Sequence, residues 1–99
     1  MANYLLSQKA IDDLSDIWEY TFQTWSENQA DKYYLSLLFD CQELANNPHM
    51  GKNYPEINSE IFGYKSGEHL IFYRKSDDTT IQIIRFLHSR MDLKRRIQE

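Results

Sequence analysis

Between residues 8 and 25 the positions Ala10, Ile11, Leu14, Ile17, Trp18, Thr21, Phe22 and Trp25 follow one another in steps of three and four. That spacing predicts a helix with a single buried stripe, and it leaves Asp12, Asp13, Asp16, Glu19 and Gln23 on a face that wants water. Ser7 precedes this stretch and can cap it, because its hydroxyl can accept from an early backbone N–H that has no partner within the helix. Ser26-Glu27-Asn28-Gln29 has the form of a capping box and starts a second helix through Ala30, Tyr33, Tyr34, Leu37, Leu38, Cys41, Leu44 and Ala45. Asn46-Asn47-Pro48 ends it, since proline cannot continue a helix and pushes its predecessor out of the helical region. Two helices of similar length with almost nothing between them predict an antiparallel hairpin.

The period then changes. Residues 49–56, with Gly51 and Pro55, read as a loop, 61–65 as a short strand, and Ser66-Gly67 as a turn. His69-Leu70-Ile71-Phe72-Tyr73-Arg74-Lys75 is dense in strand formers, and residues 80–87 follow as its hairpin partner after the turn residues Ser76-Asp77-Asp78-Thr79. Asn3-Tyr4-Leu5-Leu6 fits an initial strand. The predicted class is α+β, a single domain over residues 1–99: an N-terminal strand and an antiparallel helix hairpin packed on one face of a small antiparallel sheet.

Composition narrows the setting. Two Trp, five Phe and seven Tyr supply a real core to a chain of 99 residues. No apolar run is long enough to span a membrane, no signal peptide is visible at the N-terminus, and the lone Cys41 can form no internal disulfide, so the expected setting is the cytoplasm. The net charge is −4, unevenly spread: residues 1–60 hold 3 Lys/Arg against 10 Asp/Glu, and residues 61–99 hold 8 against 5. A protein that grips nucleic acid usually carries a positive surplus, so no direct nucleic-acid contact is expected. The basic end, Arg85, Arg90, Lys94, Arg95 and Arg96, reads equally as a solvated tail and as a binding surface.

Candidate chemistry gathers between residues 69 and 92. A metal-independent ribonuclease needs a base, an acid and a cation, and His69 and His88 with Arg74 or Arg85 offer those types, with Glu68 to orient an imidazole. The plainer account of the same groups is hydrogen bonding on a small sheet. His49, His69, His88 and Cys41 lack the short spacings of a zinc site, Cys41 falls on the apolar stripe of the second helix, and Gly51, Gly63 and Gly67 are too scattered for a phosphate loop; no metal or cofactor is expected. Trp18, Phe22 and Trp25, at helical spacing, read as core. Tyr20, Tyr33 and Tyr34 cannot all face one sheet, and an exposed aromatic patch on a helix hairpin suits an amphipathic partner segment.

The run from His69 through Arg74, then Ile81 to Ile84, then Arg85-Phe86-Leu87-His88-Ser89-Arg90-Met91-Asp92, resembles the closing motif of ParE toxins. Leu6-Ser7, Ala10, Asp13-Leu14, Ile17-Trp18-Glu19-Tyr20-Thr21, Trp25, Gln29-Ala30 and Tyr33 are similar to that family's opening, and the likeness covers almost the whole chain. The resemblance implies the RelE/ParE fold and a toxin of a type II toxin–antitoxin system, neutralised by a ParD-like antitoxin, that inhibits DNA gyrase and growth without catalysing a reaction. The alternative is a ribosome-dependent mRNA endoribonuclease of the RelE type, which the same fold hosts. The negative net charge favours the gyrase reading. On this reading Arg85, His88, Arg90, Asp92, Arg95 and Arg96 contact the target, and Asp16, Glu19, Tyr20 and Tyr34 contact the antitoxin.

Overall fold

A computed structural model describes residues 2–90 and 97. Strand β1 (Asn3–Leu6) leads into helices α1 (Gln8–Thr24) and α2 (Glu27–Asn46). A short 3-10 turn (Pro48–Met50) follows, then β2 (Lys52–Asn53), β3 (Phe62–Ser66), β4 (His69–Lys75) and β5 (Thr80–His88). Both predicted caps form. Ser7 Oγ accepts from the Ala10 N–H at 3.0 Å, and Ser26 Oγ accepts from the Gln29 N–H at 3.1 Å. The Ser7 hydroxyl also donates to the Ile84 carbonyl at 2.7 Å, so the start of α1 is pinned to β5.

The five strands form one sheet in the order β1-β5-β4-β3-β2. The expected antiparallel meander forms, and the N-terminal strand, joining at its edge, makes the sheet mixed. Strand β1 lies parallel to β5, with Asn3 opposite Thr80 and Leu6 opposite Ile83. The helix hairpin is the crossover that lets the first and last strands run the same way, which no tight turn could do. The segment 49–56 was read as loop, yet Lys52 and Asn53 pair with Gly63 and Phe62 of β3. So short a strand exists through its partner, and its own sequence carries no strand signal. At the β3–β4 turn Gly67 has φ +60°, a conformation that disfavours any side chain.

The helices cover one face of the sheet. Ala10 and Leu14 of α1, and Leu37, Cys41, Leu44 and Ala45 of α2, pack with Ile71, Tyr73, Ile81, Ile83 and Phe86. Leu70, Phe72 and Leu87 form a second cluster with Tyr54, Ile57, Ile61, Ile84 and Ile97. Strand β4 is therefore buried on both sides, and its residues alternate strictly between the two clusters. Strand β5 does not alternate throughout: Ile81 and Ile83 join the helix-side cluster, and so does Phe86. The cause is a bulge. Phe72 pairs with Arg85 while Tyr73 pairs with Ile83, so Ile84 is the extra residue on β5. Beyond the bulge the parity of β5 is reversed, and His88 reaches the same sheet face as its partner His69.

Candidate functional site

The end of the sheet that carries His69 and His88 meets the closed end of the helix hairpin, where α1 turns into α2. Between them lies a cleft of about 670 Å³ lined by Asp16, Ile17, Tyr20, Thr21, Trp25, Gln29, Tyr33, Glu68, His69 and His88. Each lining element arrives for a local reason. Residues 16, 17, 20 and 21 share one side of α1, the α1–α2 connection brings Trp25, and the tight turn after β3 places Glu68 and His69 opposite.

Tyr33 organises the sheet side. Its hydroxyl oxygen lies 2.6 Å from His69 Nδ1, accepts the Glu68 backbone N–H at 3.0 Å, and lies 3.3 Å from the Ser66 carbonyl. The contact to Nδ1 is the shortest of the three, and which partner carries its proton follows the tautomer of His69. Burial, with His88 adding to it, lowers the pKa of His69 and so favours a neutral ring. Burial raises the Tyr33 pKa, which keeps the phenol protonated. The two imidazoles meet edge to face at 5.5 Å between centroids. The backbone N–H of Arg90 donates to His88 Nδ1 at 3.1 Å.

Beside this cleft a second contact joins α1 to β5. Arg85 Nε donates to Asp13 Oδ2 at 2.7 Å and Nη2 to Oδ1 at 3.0 Å, while Asp13 Oδ2 also accepts the Phe86 N–H at 3.0 Å. Asp13 was expected on the watered face of α1. It is instead largely buried, because a fork-shaped guanidinium and a strand N–H together use both carboxylate oxygens.

The aromatic positions of α1 also depart from expectation. Trp18, Phe22 and Trp25 were read as core; Phe22 is 43% and Trp25 74% exposed. Trp18 is half-buried, stacks on Phe22 at 5.2 Å and donates from its indole to Asp31 at 3.0 Å. Ile11, read on the same stripe, is likewise 43% exposed: Ala10, Leu14 and Ile17 face the core, and the flank of α1 that carries Ile11, Trp18 and Phe22 turns away from it. Helical periodicity reports a face, and cannot tell how much of it the protein covers.

The residues expected at the target contact separate. Arg85 is held by Asp13, His88 lies in the cleft beside His69, and Arg90 is exposed at the strand end. Asp92, Arg95 and Arg96 lie outside the described residues. The expected antitoxin contacts divide across the hairpin: Asp16 and Tyr20 line the cleft with the histidines, whereas Glu19 and Tyr34 border a second hollow with Ser15, Trp18 and Asp31. Trp25 and Gln29 join the cleft without having been expected there. Cys41 is buried, and burial pushes its thiol up to about 12. Among the described residues no group of three or more His, Cys, Asp or Glu is placed to hold a metal ion, and no helix is long and apolar enough to cross a membrane.

The chain is similar to known proteins over nearly its full length. It matches the model for the ParE toxin of the type II toxin–antitoxin system parDE over residues 4–93. It is 35% identical to Toxin ParE1 of Mycobacterium tuberculosis over 96 residues, covering 97% of this chain and 98% of that protein. It is 38% identical to Toxin ParE1 of Caulobacter vibrioides over 97 residues, covering 95% and 96%. Among solved structures it superposes on a chain of the chromosomal ParDE system from P. aeruginosa with a TM-score of 0.74 at 18% identity, covering 89% of this chain and 95% of that one. A chain of the M. tuberculosis toxin–antitoxin complex RelBE2 gives a TM-score of 0.59 at 20% identity, covering 88% and 96%. With both helices, β2 through β5 and all but the first residue of β1 inside the matched span, the chain belongs to the ParE toxin family of type II toxin–antitoxin systems.

Proposed function

We propose that this ParE-family toxin acts by binding DNA gyrase in the cytoplasm, with no bond made or broken by its own side chains, and that a ParD-like antitoxin neutralises it. The observation that carries the reading is the family match across residues 4–93, which takes in every element around the cleft. Two features support a binding mode of action. The groups a ribonuclease would use are engaged internally: Arg85 by Asp13, and His69 Nδ1 by the Tyr33 hydroxyl. The net charge of −4 suits complementarity to a protein better than attraction to RNA phosphates. The resemblance of the closing motif through His88 and Arg90 points to gyrase as that protein.

Induction without antitoxin is expected to stop growth with filamentation, and the purified toxin is expected to inhibit supercoiling by gyrase. Supercoiling that proceeds unchanged in the presence of folded, active toxin would sink the reading. One observation favours a second: His69 and His88 stand side by side in an open cleft, an arrangement an acid–base pair requires. An mRNA endoribonuclease would then cut transcripts at discrete codon positions after induction, and His88→Ala would abolish the cuts.

A further inference from the structure

The cleft is chemically lopsided. Its walls bring three aromatic residues, Tyr20, Trp25 and Tyr33, together with the carboxylates of Asp16 and Glu68. Among its lining residues there is no lysine or arginine, and the Nδ1 atoms of its two histidines are engaged by the Tyr33 hydroxyl and the Arg90 backbone N–H. Tyr20 is 68% and Trp25 74% exposed, so much aromatic surface stands in water at the mouth of a hollow large enough for a long side chain. Ring faces carry negative potential and attract cations, and flanking carboxylates strengthen that attraction. The guanidinium of Arg85, on the neighbouring stretch of β5, is engaged by Asp13.

We propose that this cleft is a socket for a guanidinium or ammonium side chain presented by the antitoxin, with Trp25 and Tyr20 covering its alkyl stem and Asp16 and Glu68 meeting its charge. The occupant rests on the reading above that an antitoxin covers this toxin. Charge complementarity selects it: residues 1–60, which contribute all of the helix hairpin, hold 10 acidic against 3 basic side chains, so a partner lying along the hairpin must be basic to be attracted. A long cationic side chain is the anchor that fits both the rings and the carboxylates.

The test titrates the full chain with N-acetyl-arginine amide and follows the Trp25 indole and the His69 and His88 ring signals by NMR. N-acetyl-citrulline amide, the uncharged analogue, serves as control. The expected result is a saturable shift for the arginine probe that is weaker by about fivefold or more for citrulline, and weaker by a similar factor in the Asp16→Asn/Glu68→Gln variant. Equal binding of the two probes, or no saturable shift, overturns the socket. In the second arm the antitoxin encoded beside this gene is bound to the wild type and to the double variant, and about tenfold faster dissociation from the variant is expected. A tight complex indifferent to the substitutions overturns the proposal and leaves the toxin–antitoxin reading standing. Failure of that antitoxin to bind the wild type counts against the reading itself, and with it against the occupant named here.

Discussion

Asp13 and Arg85 are 72 positions apart, yet they form a two-pronged ion pair, with Arg85 Nε 2.7 Å from Asp13 Oδ2 and Nη2 3.0 Å from Oδ1. Because Oδ2 also accepts the Phe86 N–H, one carboxylate ties α1 both to a β5 side chain and to the β5 backbone just beyond the bulge. That junction holds the part of β5 that delivers His88 to the cleft.

Replacing Asp13 by alanine is expected to destabilise the fold by about 2–4 kcal/mol, since a largely buried guanidinium and a strand N–H would both lose the Asp13 carboxylate. Asp13→Asn keeps an oxygen for the Phe86 N–H and should cost less. Urea denaturation of the two variants checks the order; an alanine variant as stable as the wild type would contradict the role given to this pair.

Stability should also depend on pH through His69. Its pKa in the folded protein lies below the ordinary value, with burial and His88 lowering it while Glu68 and Asp13 oppose. Asp16 and Tyr33 also border the ring's cleft. A depressed folded value means that the unfolded chain binds the proton more readily. The contribution is therefore fully present above the ordinary value, near 6.5, and is lost as pH falls from there through the folded value. Unfolding free energy measured between pH 5 and pH 7 should rise with pH, and His69→Gln should flatten the slope. A slope unchanged in that variant would assign the effect elsewhere.

Tyr73 anchors the segment between α2 and β2. Its hydroxyl donates to the Pro48 carbonyl at 2.7 Å and accepts the Gly51 N–H at 3.0 Å, with the ring fully buried. Tyr73→Phe should cost about 1–3 kcal/mol, because a backbone N–H and a carbonyl lose their partner. Gly51→Ala should be at least as damaging, since a β-carbon there would sit 2.8 Å from Tyr73 Cζ and the buried ring has no room to retreat. Thermal melts of both variants decide the matter; an alanine at position 51 that melts with the wild type would show the anchor to be slack.

Cys41 should be silent toward thiol reagents. It is fully buried in the helix-side cluster, and its thiol is pushed up to about 12 by burial and by Asp40, so the reactive thiolate is scarce. An aromatic disulfide reagent is expected to label it only on unfolding, at a rate that follows the denaturant. Rapid labelling under native conditions would mean that α2 opens readily from the sheet.

Much of the architecture was legible because it is local. The serines at positions 7 and 26 cap the helices they were read to cap, Pro48 ends the second, and the dense strand run at residues 69–75 is a strand. Capping, proline sterics and strand propensity act within a few residues, so a linear reading captures them. Cys41 was read as core for the same reason, from its place on a helical stripe.

What only the tertiary structure decided involves contacts across the chain. Strand β1 runs parallel to β5 because the hairpin carries the chain over the sheet, and β2 exists because β3 lies beside it. Asp13 is buried by a partner 72 residues away, and Tyr33 meets His69 across 36. Trp25 is exposed at the connection between the helices, and the pairing of His69 with His88 depends on a bulge at Ile84 that no single residue type announces. Local geometry and solvation set the elements themselves; which polar groups leave water together, and which aromatic rings stay in it, follows from how those elements are stacked.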